Sequence, residues 1–174
     1  MNYPNTYDAE IQRRVAQHLP WWRQWQRTKA QLIAESDLNP LAVSETGAEG
    51  IAQFEPDDWA EWSAKCGYGP EITAFMAAPA IDVHCAYMAH LYGEWSLPRA
   101  EIDRWRLAVA SYNAGLGNIL KAQSLAGGAP DWLTISSTLS DVTGESNAAQ
   151  TVEYVARTER VLAELLQCQS SQAS

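Results

Sequence analysis

The sequence predicts a single all-α domain, on three observations. Apolar residues recur at three- and four-residue intervals along most of the chain. No alternating apolar–polar run exceeds a few residues. Pro or Gly falls at most breaks between the periodic stretches. No internal repeat or linker-like shift in composition interrupts the 174 residues. A chain of this length with 47% hydrophobic residues can bury a substantial core, so disorder is confined to the ends.

Taken in order, residues 8–19 read as a first helix, with Thr6 as N-cap and Pro20 as its stop. Residues 21–35 read as a second, opening on the cluster WWRQW. In it Trp25, Thr28, Leu32 and Glu35 stand three, four and three residues apart and share one face. The helix stops at Glu35, and Asn39-Pro40 confirms the break because Pro disfavours α geometry in the residue before it. Residues 39–50 carry no period and hold Pro40, Gly47 and Gly50, so they form a loop, followed by a short apolar piece at 51–54. Pro56 opens the helix PDDWAEWSAKC, with acids in its first turn, and residues 66–70 turn the chain. Residues 79–95 give the most continuously buried helix, on Ile81, Cys85, Met88 and Tyr92 with Ala86 and Ala89. After Pro98, residues 101–114 form another, on Trp105, Ala108, Val109 and Tyr112, closed by Gly115. A short helix at 117–126 and a loop at 127–130 precede the Ser/Thr-rich stretch 131–146, a surface segment with one short helix. The last helix starts at Asn147 with a stripe of Val152, Val155, Ala156, Leu162, Ala163 and Leu166. The tail after Gln167 is polar and frays.

The composition narrows the function. A formal charge of −9 excludes bulk electrostatic attraction to nucleic acid, anionic membranes or wall polymers, so any hold on an anionic polymer must come from a shaped site. Eight Trp and seven Tyr against two Phe suit a core that opens toward a polar ligand, although most of these Trp are expected in the core. Cys66, Cys85 and Cys168 leave at least one thiol unpaired and lack metal spacing, as do His18, His84 and His90. No metal and no cofactor are expected. The opening MNYPNTYDAE has neither the basic start nor the apolar run of a signal peptide, and no stretch suits membrane insertion. This reads as a protein of the host cytoplasm until it is released to the periplasm and wall, or as one carried with a virion.

Glu35 is the leading candidate for chemistry. A carboxyl group that ends an apolar helical stripe is pushed toward its protonated form by burial, as a general acid requires. The plain alternative, an exposed acid at a helix C-terminus, is disfavoured by the helix dipole. Four stretches then belong together: Glu35-Ser36-x-x-Asn39-Pro40-x-Ala42-Val43-Ser44, Gly47-Ala48-x-Gly50-Ile51-Ala52-Gln53-Phe54, Ala110-Ser111-Tyr112-Asn113-Ala114-Gly115 and Thr151-x-x-Tyr154-Val155.

In this order and over residues 28–166, they resemble the catalytic domain of the soluble lytic transglycosylases, a family related to goose-type lysozymes. The resemblance implies a lysozyme-like helical domain with a substrate cleft. Residues 1–27 would be an N-terminal segment of the same domain, 28–167 the catalytic region and 168–174 a tail. It also implies cleavage of peptidoglycan glycan strands between N-acetylmuramic acid and N-acetylglucosamine by a monomer. The glutamate matching Glu35 protonates the glycosidic oxygen. It then takes the proton of the muramic C6 hydroxyl, which closes a 1,6-anhydro ring. Ser36, Gln53, Tyr112, Asn113 and Tyr154 match positions that bind or orient. Their side chains offer phenols, amides and a hydroxyl suited to sugar hydroxyl and N-acetyl groups. Each taken alone could equally be core or a helix cap.

The chain also departs from the family pattern. Asp37-Leu38 stands where Gly and an aromatic or apolar residue are usual, and Ala52 replaces a usual Met. A like charge at Asp37 would raise the Glu35 pKa further. Asp37, Glu49, Asp57 and Asp58 are candidates for a second carboxylate that activates water, which would make the protein a hydrolysing muramidase. A non-catalytic glycan-binding module and a structural part of a phage particle or secretion machine stay open beside a phage-type lysin. So do exo or endo attack and the wall chemotype.

Overall fold

A computed structural model describes residues 3–172. Among them the regular structure is helical: α1 (Asp8–His18), α2 (Gln26–Ser36), α3 (Pro56–Lys65), α4 (Ala77–Glu94), α5 (Glu101–Ala114), α6 (Leu116–Leu125), α7 (Trp132–Ser136), α8 (Ser140–Thr143) and α9 (Glu145–Gln172). The only β pairing among them is two isolated antiparallel bridges, Val43 with Glu49 and Glu49 with Phe54. The all-α expectation is met. The chain gathers into two compact units, one holding the residues up to Tyr87 and those from Thr158 onward, the other Met88 to Arg157. Both boundaries fall inside helices, α4 and α9, so no linker composition marks them in the sequence. No helix of the described residues is long and apolar enough to cross a membrane.

The first unit is built around α2. Every residue from 26 to 34 is buried, including Gln26, Arg27, Thr28, Lys29 and Gln31. The sequence shows one apolar stripe because polar residues occupy the remaining faces, yet those faces are covered too. A buried charge needs a partner, and Lys29 has Asp8 at 2.6 Å. The sequence start at residue 21 is corrected: α2 begins at Gln26. Residues 21–25 are taken up by turns that carry Trp22 N–H to Leu19 O at 2.8 Å and Thr28 N–H to Trp25 O at 3.1 Å. The N-cap of α1 is likewise Tyr7 rather than Thr6 and has no capping side-chain bond, since the chain enters through a turn from Asp8 N–H to Asn5 O.

Asp82, on α4 and 5% exposed, ties this unit together. It receives Arg14 at 2.8 Å, His18 at 2.7 Å and the Tyr68 hydroxyl at 2.7 Å, and so joins α1, the turn after α3, and α4. Burial first, and then the Asp82 carboxylate, push the Tyr68 phenol up to about 12. Beside it on α4, His84 is fully buried and burial pushes its pKa down to about 3, so its ring is neutral. No disulfide joins Cys66, Cys85 or Cys168 among the described residues.

In the second unit α5 runs over the predicted residues and ends at Gly115, whose φ is +82°. Trp105, Leu107, Ala108, Val109 and Ala110 are buried, and buried Trp95 donates its indole N–H to Ser111 Oγ at 3.0 Å. The Ser/Thr-rich stretch holds two short helices, α7 and α8, instead of one. Along α9 the buried positions are Ala148, Thr151, Val155, Thr158, Val161, Leu162 and Leu165, whereas Val152 is 40% exposed. Thr151 and Thr158 take the places that an apolar count gives to Val152 and Ala163. The helix also runs past Gln167 to Gln172, and the end of the predicted tail lies outside the described residues.

Candidate active site

Glu35 is half-buried in the last turn of α2. The helix ends one residue beyond it by a left-handed pair, Asp37 at φ +53° and Leu38 at φ +64°, ahead of Asn39-Pro40. Asp37 N–H still bonds to Ile33 O at 2.9 Å and Asn39 N–H to Ser36 O at 3.0 Å, so the carbonyls of the last turn are partly satisfied. Side chains other than Gly, Asn and Asp resist this conformation. Burial of Leu38, 5% exposed, offsets the cost. The turn is thus fastened by the core immediately after the candidate acid.

The second fastening is Ser36, whose hydroxyl donates to Ile51 O at 2.8 Å. That bond ties the end of α2 to the loop 42–54. The loop is closed by Gly50 N–H to Ala42 O at 2.8 Å, Ser44 N–H to Ala48 O at 2.9 Å and the reciprocal pair between Glu49 and Phe54. Gly50 has φ +74°, and a Cβ there would overlap the carbonyl oxygen of Ala74. Gln53, half-buried at φ +50°, donates its amide N–H groups to Gly50 O at 2.9 Å and Ala42 O at 3.3 Å. Both amide protons are committed to the loop, so what Gln53 offers a ligand is its carbonyl oxygen, an acceptor. Phe54 anchors the loop against Trp59 and Tyr87, with ring centroids 5.8 and 6.2 Å away.

Of the other carboxylates, Asp37, Asp57 and Asp58 are exposed and Glu49 is half-buried. Asp57 and Asp58 lie in the first turn of α3. Burial, and then Glu61, Glu55 and Asp57, raise the pKa of Asp58.

Tyr112, Asn113 and Tyr154 belong to the second unit. Tyr112 and Asn113 are half-buried on the last turn of α5, next to Ser111, which Trp95 and Leu107 O hold in place. Tyr154 is half-buried on α9. Asn113 meets Thr151 across 2.9 Å. Both line a cavity of about 270 Å³ together with Asn118, Thr143, Asn147 and Gln150. Asn118 and Asn147 each give one amide N–H to a backbone carbonyl, Ala114 O at 2.8 Å and Thr143 O at 3.0 Å. Each keeps its carbonyl oxygen and its second N–H, so the uncharged pocket offers both acceptors and donors to hydroxyl and N-acetyl groups. The sequence reading missed Asn118, Thr143, Asn147 and Gln150. Thr151, already in the quoted motif, was the signal that this end of α9 lies beside Asn113.

Residues 24–135 match the family model described as the Transglycosylase SLT domain. Two curated proteins called membrane-bound lytic murein transglycosylase F are similar in sequence. The one from Hahella chejuensis is 28% identical over 72% of this chain, and the one from Alteromonas mediterranea 30% over 64%. This chain spans 25% and 23% of their lengths. Among solved structures, the 70 kDa soluble lytic transglycosylase of Escherichia coli superposes with a TM-score of 0.71 at 18% identity, over 94% of this chain and 25% of the other. An inactive mutant of the lytic transglycosylase Slt from Pseudomonas aeruginosa gives 0.70 at 20%, over 95% and 25%. These two establish the lysozyme-like helical fold. With the family model covering well over half of its residues, the chain belongs to the transglycosylase SLT domain family.

Proposed function

We propose that this chain cleaves the glycan strands of peptidoglycan as a lytic transglycosylase, with Glu35 serving first as acid and then as base. The observation that carries the reading is the doubly fastened end of α2. One half-buried carboxyl group is held by the left-handed turn at Asp37–Leu38 on one side and by the Ser36–Ile51 bond on the other. Membership of the family and the names of the curated relatives support it.

The step balances with one carboxyl group. Glu35 gives its proton to the glycosidic oxygen as the C1–O bond breaks, leaving positive charge on the muramic ring. The Glu35 carboxylate then takes the proton of that sugar's C6 hydroxyl, and O6 bonds to C1. Glu35 ends protonated as it began, and no water is consumed. The nucleophile is intramolecular, so its effective concentration is already high. A hydrolysing glycosidase needs a second carboxylate at a fixed separation, whereas three of the four candidates here are exposed. In the first unit the acceptor oxygen of Gln53 suits the hydroxyl and amide protons of N-acetyl sugars.

Glu35→Gln is expected to keep the helical circular dichroism and lose cleavage by at least ~10²–10⁴-fold, the usual worth of a proton-transferring group. Full activity in a folded Glu35→Gln protein contradicts the proposal. The reading extends to a phage-type lysin that acts as a monomer once the membrane is opened. Cells expressing the protein are expected to lyse only after a membrane-permeabilising agent is added, and spontaneous lysis of intact growing cells contradicts that part.

A further inference from the structure

We propose a second glycan-binding site on the first unit, at the groove between the end of α1 and the start of α2, which holds the enzyme on the anionic wall polymer. The groove has a volume of about 250 Å³. Gln12, Val15 and Leu19 give its α1 side, and Trp22, Arg23 and Trp25 the turns leading into α2. Its lining lies almost wholly before residue 24, where the family match begins, and includes none of the candidate-site residues.

Two observations define the occupant. The first is aromatic. Trp21, which stands in the chain between the lining residues Pro20 and Trp22, is 55% exposed, and Trp25, itself in the lining, is half-buried. Indole faces stack on the C–H faces of sugar rings while the Gln12 amide and a guanidinium serve hydroxyls at the rim. The second is charge. Residues 1–30 hold five Lys and Arg against two acids, a net +3, while the remaining residues hold seven against nineteen, a net −12. Within that positive segment most cations are already answered. Glu10 pairs with Arg13 and Arg14, Asp82 with Arg14, and Asp8 with Lys29. Arg23 is exposed and has no ion pair or hydrogen bond among the described residues. An unanswered cation flanked in the chain by Trp22 and Trp25, on the most positive stretch of an acidic protein, fits a ligand that is both a sugar and an anion. A strand of peptidoglycan, with its lactyl-linked peptide carboxylates, is such a ligand. The choice of strand rests on the proposed substrate, and it supplies the shaped site that a net charge of −9 demands for any hold on an anionic polymer.

The test measures binding without cleavage, by co-sedimentation of Glu35→Gln protein with purified sacculi. Adding Arg23→Glu or Trp21→Ala is expected to weaken binding roughly tenfold, the worth of one lost ionic or stacking contact. Lys121→Glu makes the same charge change at an exposed residue of the second unit and should leave binding within about twofold. In the active protein, Arg23→Glu should slow solubilisation of sacculi but not turnover of short soluble glycan fragments. Equal binding by all variants overturns the proposal. So does an Arg23-dependent affinity for anionic lipid vesicles with none for sacculi, or an Arg23-dependent self-association in sedimentation. Because binding is read in Glu35→Gln protein, failure here leaves the catalytic proposal standing, and failure of that proposal leaves this one measurable.

Discussion

Single residues do their work here through the backbone they are tied to. Gly50 is the clearest case, because it needs both a left-handed φ and the missing Cβ to pass the Ala74 carbonyl. Gly50→Ala should push the 42–54 loop out of place, lower the melting temperature by several degrees and reduce activity. Unchanged melting would mean that the loop is not pinned there. Asp37 tests the one-carboxylate mechanism. Asn tolerates its left-handed conformation and removes the charge, so Asp37→Asn should keep the fold and retain activity within a few-fold. A loss of orders of magnitude would mark Asp37 as a second catalytic carboxylate. Gln53 shows what spacing alone conceals. The sequence identifies an amide in a loop but not that both its N–H groups close that loop, which leaves only an acceptor.

At the scale of elements, α5 was legible end to end because its apolar stripe and terminating Gly115 agree. The start of α2 was not, since the turns that occupy residues 21–25 depend on contacts with Leu19 that no local pattern announces. Nor was its burial on all sides visible, because Lys29 is acceptable inside only through Asp8, twenty-one positions earlier in the chain. Thr151 and Thr158 on α9 were hidden for the reverse reason, a hydroxyl residue filling a core position. The element-level prediction concerns Asp82, which joins α1, α4 and the turn after α3. Asp82→Ala should destabilise by about 1–3 kcal/mol, since it removes the buried acceptor of His18 and the Tyr68 hydroxyl and leaves Arg14 with Glu10 alone. A denaturant midpoint close to that of the parent protein would contradict the hub.

For the whole molecule, acid stability follows from His84. Its folded pKa is pushed by burial from 6.5 to about 3, so the folded state refuses a proton that the unfolded chain accepts. Stability is therefore complete above about pH 6.5 and is lost progressively as the pH falls toward 3. The urea midpoint should fall between pH 7 and pH 4.5, and less so in His84→Gln; equal slopes in the two proteins would remove His84 as the cause. The family motifs were legible because they are local words in a fixed order. The two units were not, because both boundaries lie inside continuous helices. The most direct test of the central claim is mass spectrometry of the soluble products from purified sacculi. The account predicts muropeptides ending in 1,6-anhydro-muramic acid, the product of Glu35 acting alone in both proton transfers. Reducing muramic ends, heavier by one water, would contradict it and place the missing base among Asp37, Glu49, Asp57 and Asp58.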